Sequence, residues 1–289
     1  MKIVYILKEM RVHHYIKNFL VMLPLVCSGQ LFTSYKLTEV FLGFFAFSFL
    51  SSCIYIINDI RDVEKDKVHP IKCKRPIAAG KISVKEATVL SVFLFITSVL
   101  CNTLTFNIFS SILLVIYLIL NIAYSFGLKN VPLLDIVILV SGFLIRTLYG
   151  AIITDIKISN WLYLVVVTAA FYLALGKRRN ELKMMGDECE SRSVIKKYSY
   201  NFLNQNMYMC IGLLNVFYAL WTMDDATIQV YGSYLIWTVP LVLLICMKYS
   251  MTIESDSDGD PVEVLLHDIG LIVMCGIYVL VMLFLLYLR

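Results

Sequence analysis

Long apolar runs separated by short polar stretches dominate the pattern of this 289-residue chain. A helix needs ~17–25 mostly apolar residues to cross a ~30 Å hydrocarbon layer. Runs near that length occur at 18–33, 39–57, 84–104, 107–124, 133–153, 161–176, 205–223, 232–250 and 263–287, and Pro24 is expected to kink the first. Short links at Asn102–Asn107 and Thr154–Asn160 alternate with longer charged loops at 58–83, 125–132 and 177–204. The pattern predicts an all-α, polytopic membrane bundle of about nine transmembrane helices. It forms a single domain over 1–289, with no soluble domain and no internal repeat.

Composition agrees: 60% of residues are hydrophobic, 16% are charged and the mean hydropathy is +0.79. Soluble domains carry ~25% charge and ~45–50% apolar residues, so the solvent of this surface is lipid. Of the 25 Lys and Arg residues, 21 fall in the N-terminal segment and on one side of the predicted spans. Three (Lys36, Lys157, Arg289) fall on the other side, and Arg146 lies within a span. The asymmetry predicts a cytoplasmic N-terminus and an outer C-terminus in a multi-pass protein of the cell membrane. Charges from Lys8 to Lys17 interrupt any signal-peptide core, so the first span is expected to be a retained anchor. The eight cysteines form no CxxC pair. Six lie in or beside apolar runs as small hydrophobes, and Cys73 and Cys189 fall in loops placed in the reducing cytoplasm.

Chemistry concentrates where the second span ends. If its helix continues through Asn58-Asp59-Ile60-Arg61-Asp62-Val63-Glu64-Lys65-Asp66, then Asn58, Asp59, Asp62 and Asp66 share a ~100° arc. Such a stripe suits Mg2+, which takes hard oxygen ligands and shares phosphate oxygens. The plainer alternative is a solvated helix end whose acids pair with Arg61, Lys65 and Lys67. The next segment, His69 to Gly80, places Lys72, Lys74 and Arg75 beside the acids, and His69 continues the stripe. Such cations hold phosphate oxygens or, at a membrane surface, anionic lipid. Asp135 and Arg146, eleven residues apart in the fifth span, are expected to face the same way. Asn121, Tyr124, Ser125 and Lys129 form a second polar rim. The run Glu254–Pro261 lacks EF-hand spacing and reads as a cytoplasmic turn.

Asn58-Asp59-x-x-Asp62-x-x-x-Asp66 after a span resembles the first aspartate motif of the UbiA superfamily of intramembrane prenyltransferases. The longer string NDIRDVEKDKVHPIKCKRPIAAGKIS is similar to that of its polyprenyl-phosphate (decaprenyl-phosphate) phosphoribosyltransferase branch. So are RVHHYIKN at 11–18, AYSFGLK at 123–129, GFLIRTLYGA at 142–151 and LGKRRNEL at 175–182. The resemblance implies helices around a central cavity open to the cytoplasm. It also implies Mg2+-dependent transfer of 5-phosphoribose from 5-phosphoribosyl 1-diphosphate to a polyprenyl phosphate. Asp59, Asp62 and Asp66 would be the catalytic, metal-holding residues. Lys17, Asn18, Asn58, Lys74, Arg75, Tyr124, Lys129, Asp135, Arg146, Lys177 and Arg178 would contact substrate, with Glu181 a weaker candidate.

Two departures separate the chain from ordinary members of the superfamily. Their second motif, DxxxD, is halved here, because Leu139 follows Asp135 by four residues. Their YxxxK is stretched by one, from Tyr124 to Lys129. Both agree with a soluble sugar diphosphate as donor. Prenyl transfer to an aromatic or other small acceptor is the nearest alternative, and a transporter or Mg2+ channel using the acids as an ion site is another. The expected partners are the two substrates and the lipid bilayer, with no nucleic acid; a homo-oligomer is left open.

Overall fold

The apolar runs fold as helices, and their ends lie where the sequence supplies breakers and caps. The structure, a computed structural model, describes residues 2–68, 70, 72–184, 194–254 and 259–288, without the side chain of Lys2. Among the described residues there is no strand. In chain order the α-helices are α1 (Lys2–Glu9), α2 (Leu23–Val26), α3 (Ser34–Arg61), α4 (Val63–Val68), α5 (Val84–Thr103), α6 (Ile108–Ser125) and α7 (Leu134–Ile153). They continue as α8 (Asn160–Met184), α9 (Tyr200–Met223), α10 (Asp225–Tyr231), α11 (Val239–Glu254), α12 (Pro261–His267) and α13 (Ile269–Leu283). Among the described residues seven helices are long and apolar enough to cross a membrane, two of them counted with flanking turns as Ser233–Glu254 and Ile269–Leu288. Large apolar side chains such as Phe93, Ile96, Ile112 and Ile119 lie exposed along α5 and α6, as a lipid-facing surface requires. The protein is an integral membrane protein.

Three expectations need correction. The run 18–33 is not one helix: a 3-10 segment, Val12–Val21, hands over to the single turn α2. Pro24 fits the first turn of α2, where its missing N–H costs nothing, and Gly29 at φ 75° ends the segment. The helix through the acidic stripe breaks at Asp62 (φ −92°, ψ 8°) between α3 and α4. Residues 177–184, expected in a loop, form the last turns of α8, where Arg178, Arg179 and Asn180 are buried. Helix α9 spans 24 residues, but Asn201, Asn204, Gln205 and Asn206 dilute its hydropathy and it is not among the seven.

The chain divides into two compact units. The first comprises residues 1–126 and 145–156; the second comprises 127–144 and 157–289. The first is built around α3, whose small buried hydroxyls hold the N-terminal segment. Ser48 accepts from Asn18 Nδ2 at 2.9 Å, Ser52 donates to the Met10 carbonyl at 2.7 Å, and Tyr15 Oη lies 2.9 Å from Ser52. Gly150 of α7 packs directly on the Val21 carbonyl, where any Cβ would collide with backbone. Val21, Leu25, Phe47 and Tyr149 form the apolar centre beneath. In the second unit Ile136, Tyr172, Leu203, Met207 and Ile253 form the corresponding core.

A candidate active site at the acidic end of α3

Asp59, on the last turn of α3, is 3% exposed, yet it is surrounded by charge. Nη2 of Arg11 donates to both its oxygens, at 2.8 and 2.7 Å. Nη1 of Arg75 donates to Asp59 Oδ1 at 3.0 Å and to Asp66 Oδ2 at 2.6 Å, so one nitrogen bridges two carboxylates. Asp66, on α4, is buried as well. Arg11 adopts a left-handed backbone (φ 52°) between α1 and the 3-10 segment, and its guanidinium stacks 4.8 Å from the Tyr55 ring. A tight turn at Pro76–Gly80 fixes Arg75: Ala79 N donates to Arg75 O, Gly80 N to Ile77 O and Lys81 N to Pro76 O. Gly80 takes φ 67°, and a capping box of Ser83 with Glu86 then starts α5.

Glu9 completes the cluster. It is 1% exposed, and its carboxyl lies against Asp59 and the Ile77 backbone N–H. Burial, and then the neighbouring Asp59 charge, push its carboxyl up to about 7. Asp62 lies at the helix break, where Arg61 donates to it at 3.2 and 3.3 Å. Asn58 accepts from Ser125 Oγ at 3.1 Å beside a cavity of about 300 Å³ between the ends of α3 and α6. Lys74 is exposed on the turn before Arg75, and Lys17 and Tyr124 are half-buried.

Arg146 and Asp135 are served by different partners. Arg146 Nε donates to Asn18 Oδ1 at 2.7 Å and its Nη2 to Tyr117 Oη at 3.0 Å, with Phe47 and Tyr117 packed on its faces. The two side chains have different surroundings, since residues 134–144 and 145–153 join different units. In the second unit Asp135 and Arg178, both 0% exposed, form a buried pair at 2.7 Å. Tyr198 Oη donates to Asp135 at 2.6 Å, and Arg178 also pairs with Glu181. Burial, and then the hydrogen bond to Asp135, push the Tyr198 phenol up to about 12. Lys177 donates to Asp260 Oδ2 at 3.0 Å, and Lys129 lies half-buried on the turn Leu128–Asn130. His69, Cys189 and residues 255–258 of the acidic run lie outside the described residues.

The UbiA prenyltransferase family model matches residues 21–262. The chain belongs to that family. The decaprenyl-phosphate phosphoribosyltransferase of Mycolicibacterium smegmatis is 33% identical over 277 residues, covering 91% of this chain and 86% of that protein. The enzyme of the same name from Corynebacterium glutamicum is 31% identical, with 91% and 80% covered. Among solved structures, a UbiA homolog from Archaeoglobus fulgidus bound to GPP and Mg2+ superposes with a TM-score of 0.70. It is 15% identical, with 98% of this chain and 99% of that one covered. A UbiA homolog from Aeropyrum pernix K1 gives a TM-score of 0.65 at 17% identity, covering 94% and 98%.

For a UbiA-family chain the acidic cluster invites a test of fit to a divalent cation. Among the described residues no three His, Cys, Asp or Glu side chains are already gathered as a metal cage. The donor set nevertheless suits a hard cation: it holds carboxylate oxygens and neither sulfur nor imidazole. Arg75 Nη1 places positive charge between Asp59 and Asp66, where two buried carboxylates call for a cation. These residues fit such an ion once Arg75 moves to another anion. Arg11 and Glu9 were not among the candidates from sequence. Arg11 opens the string RVHHYIKN, which was the available signal for it; Glu9 carried none.

Proposed function

We propose that this protein transfers 5-phosphoribose from 5-phosphoribosyl 1-diphosphate to a polyprenyl phosphate such as decaprenyl phosphate, releasing diphosphate. Relatives of that name at 33% and 31% identity over most of both chains support the reading. The observation that carries it within the molecule is the state of Asp135. Its two oxygens are taken by Arg178 and Tyr198, and Leu139 stands where a second acid would be. A second acidic cation site, of the kind used with prenyl diphosphates, lacks its second acid at position 139. One acidic cluster flanked by guanidinium groups suits a single sugar diphosphate.

Asp59 and Asp66, with Asp62 at the adjoining helix break, would hold Mg2+, which when bound neutralises charge on a departing diphosphate. Arg11 and Arg75, now resting on carboxylates, are placed to turn onto phosphate oxygens as paired donors. Lys17, Lys74, Lys129 and Lys177 add cations, and Asn58 and Tyr124 add hydrogen bonds. Asn18 and Arg146 hold the N-terminal segment in register, and Asp135 with Arg178 brace the second unit, so these four act as positioning groups. At C1 of the ribose the bond to diphosphate breaks as an oxygen of the polyprenyl phosphate forms its own. The carbon passes through an oxocarbenium-like state. The acceptor is already anionic at neutral pH, so the chain needs to orient and neutralise more than to remove a proton. The charge asymmetry supports a plasma-membrane protein with a cytoplasmic N-terminus, matching a soluble donor.

The decisive experiment incubates purified protein with labelled 5-phosphoribosyl 1-diphosphate, Mg2+ and decaprenyl phosphate. Label should move into the lipid. An unlabelled lipid together with consumption of a prenyl diphosphate would overturn the proposal in favour of prenyl transfer.

A further inference from the structure

Three consecutive cations lie near the end of α8, and the second unit uses them differently. Arg178, with no exposed surface, is paired with Asp135 and Glu181. Arg179, 1% exposed, donates to Asn204 Oδ1 at 2.8 Å and lies 3.5 Å from Glu254. Lys177 alone of the three keeps part of its side chain open, 29%, and its ammonium donates to Asp260 Oδ2 at 3.0 Å. An ammonium carries three N–H donors, so that bond leaves others for a second anion. Within the basic string LGKRRNEL, Lys177 is therefore the cation placed to meet a soluble phosphate.

Asp260, 6% exposed, is itself fixed from both sides. Its Oδ1 accepts from Val262 N at 3.0 Å and its carbonyl from Val264 N at 2.9 Å, which starts α12. Gly259 before it takes φ 75° and lies flat on α8, where a Cβ would come within 3.0 Å of Lys177 Cα and 2.9 Å of Asn180 Cβ. The end of α11 is tied to the same turns of α8: Asn180 Nδ2 donates to Ile253 O at 2.5 Å and Lys183 Nζ to Glu254 O at 2.7 Å. With one oxygen committed to backbone, the carboxylate presents the other to Lys177 in a single orientation. We propose that Asp260 is a positioning residue for the transfer, holding the Lys177 ammonium so that its remaining donors meet a phosphate of the sugar donor. A free lysine gives up its rotamers when phosphate binds, whereas one held by Asp260 has already done so on folding. The inference rests on the phosphoribosyl-transfer reading above. It adds a residue 83 positions from the lysine, outside every string that carries the family resemblance.

The test is steady-state kinetics of the purified full chain in detergent, varying 5-phosphoribosyl 1-diphosphate at saturating decaprenyl phosphate and Mg2+. Wild type, Asp260→Asn, Lys177→Met and the double variant are compared. The asparagine keeps a carbonyl for the Val262 N–H and turns its NH2 toward the ammonium, so the cap of α12 stays and the grip on Lys177 is lost. KM should rise about tenfold in Asp260→Asn with a smaller fall in kcat, and adding Asp260→Asn to Lys177→Met should raise KM no further. An unchanged KM in Asp260→Asn, or an equal rise in both backgrounds, refutes the proposal, as does an unchanged KM in Lys177→Met. A wild type that ignores 5-phosphoribosyl 1-diphosphate and consumes a prenyl diphosphate overturns the transfer reading, and this inference with it. Should Asp260→Asn fail to fold, a structure of the wild type with 5-phosphoribosyl 1-diphosphate and Mg2+ decides. A phosphate oxygen within about 3.2 Å of Lys177 Nζ, with Asp260 still bonded to it, supports the proposal; a phosphate away from Lys177, or Asp260 displaced from it, refutes it.

Discussion

Removing the Arg11 guanidinium tests the acidic cluster most directly. In Arg11→Ala, Asp59 loses hydrogen bonds of 2.7 and 2.8 Å and keeps the one from Arg75 at 3.0 Å. Stripping a buried carboxylate of its partner costs ~3–5 kcal/mol. Arg11 is 22% exposed and Arg75 remains, which lowers the expected cost to ~2–3 kcal/mol. For a chain of 289 residues that corresponds to a melting temperature lower by roughly 3–5 °C. The measurement is thermal unfolding in detergent of Arg11→Ala, Asp59→Asn and the double variant. An amide in place of the Asp59 carboxylate has no charge to strand, so the double variant should cost at least ~1 kcal/mol less than the sum of the singles. Additive losses, or an Arg11→Ala protein melting within about 1 °C of the wild type, would refute the clamp.

Other expectations can be checked independently. Arg75→Ala should raise KM for 5-phosphoribosyl 1-diphosphate more than it lowers kcat; an unchanged KM would return Arg75 to a purely structural role. Asp135→Asn should remove the buried counter-charge of Arg178 and, because Glu181 remains, lower stability by ~2–3 kcal/mol in thermal melts, while Asp135→Leu with Arg178→Met should recover much of it. Gly150→Ala should cost ~1–3 kcal/mol, because the new methyl meets the Val21 carbonyl and backbone cannot swing aside. Hydrogen bonds from Lys248, Thr252 and the Leu271 amide hold the Asp268 carboxyl well below the usual carboxylate range. Its contribution is therefore present above the unfolded carboxylate pKa and fades as pH falls, so Asp268→Asn should flatten the acid limb of the stability curve.

How much of this was legible in the sequence follows from the reach of each signal. Apolar runs report helices because burial in lipid is set residue by residue, and α3, α5, α6 and α7 fall where the runs do. The break within 18–33 was half visible in Pro24; that α2 would stop after one turn depended on Gly29 taking a positive φ. Asp59, Asp66 and Arg75 were found because they lie within seventeen residues of one another. Arg11 lies 48 residues from Asp59, and no periodicity links them. Helical steps put Asp135 and Arg146 on one face, but such steps say nothing about which neighbours cover each residue. Arg178 reads as a phosphate ligand in a basic string, and its pairing with Asp135 and Glu181 inside the second unit depends on contacts that no string reports.

The small hydroxyls along α3 carry a practical lesson. Ser48 and Ser52 act as a rail that seats Met10, Tyr15 and Asn18 on α3, so the segment carrying Glu9 and Arg11 is held as part of the first unit. Deleting it would remove Glu9 and Arg11 together and open Asp59 to water. Affinity handles for purification therefore belong at the other terminus, and a shortened protein that retained turnover would show that the rail guides nothing of consequence.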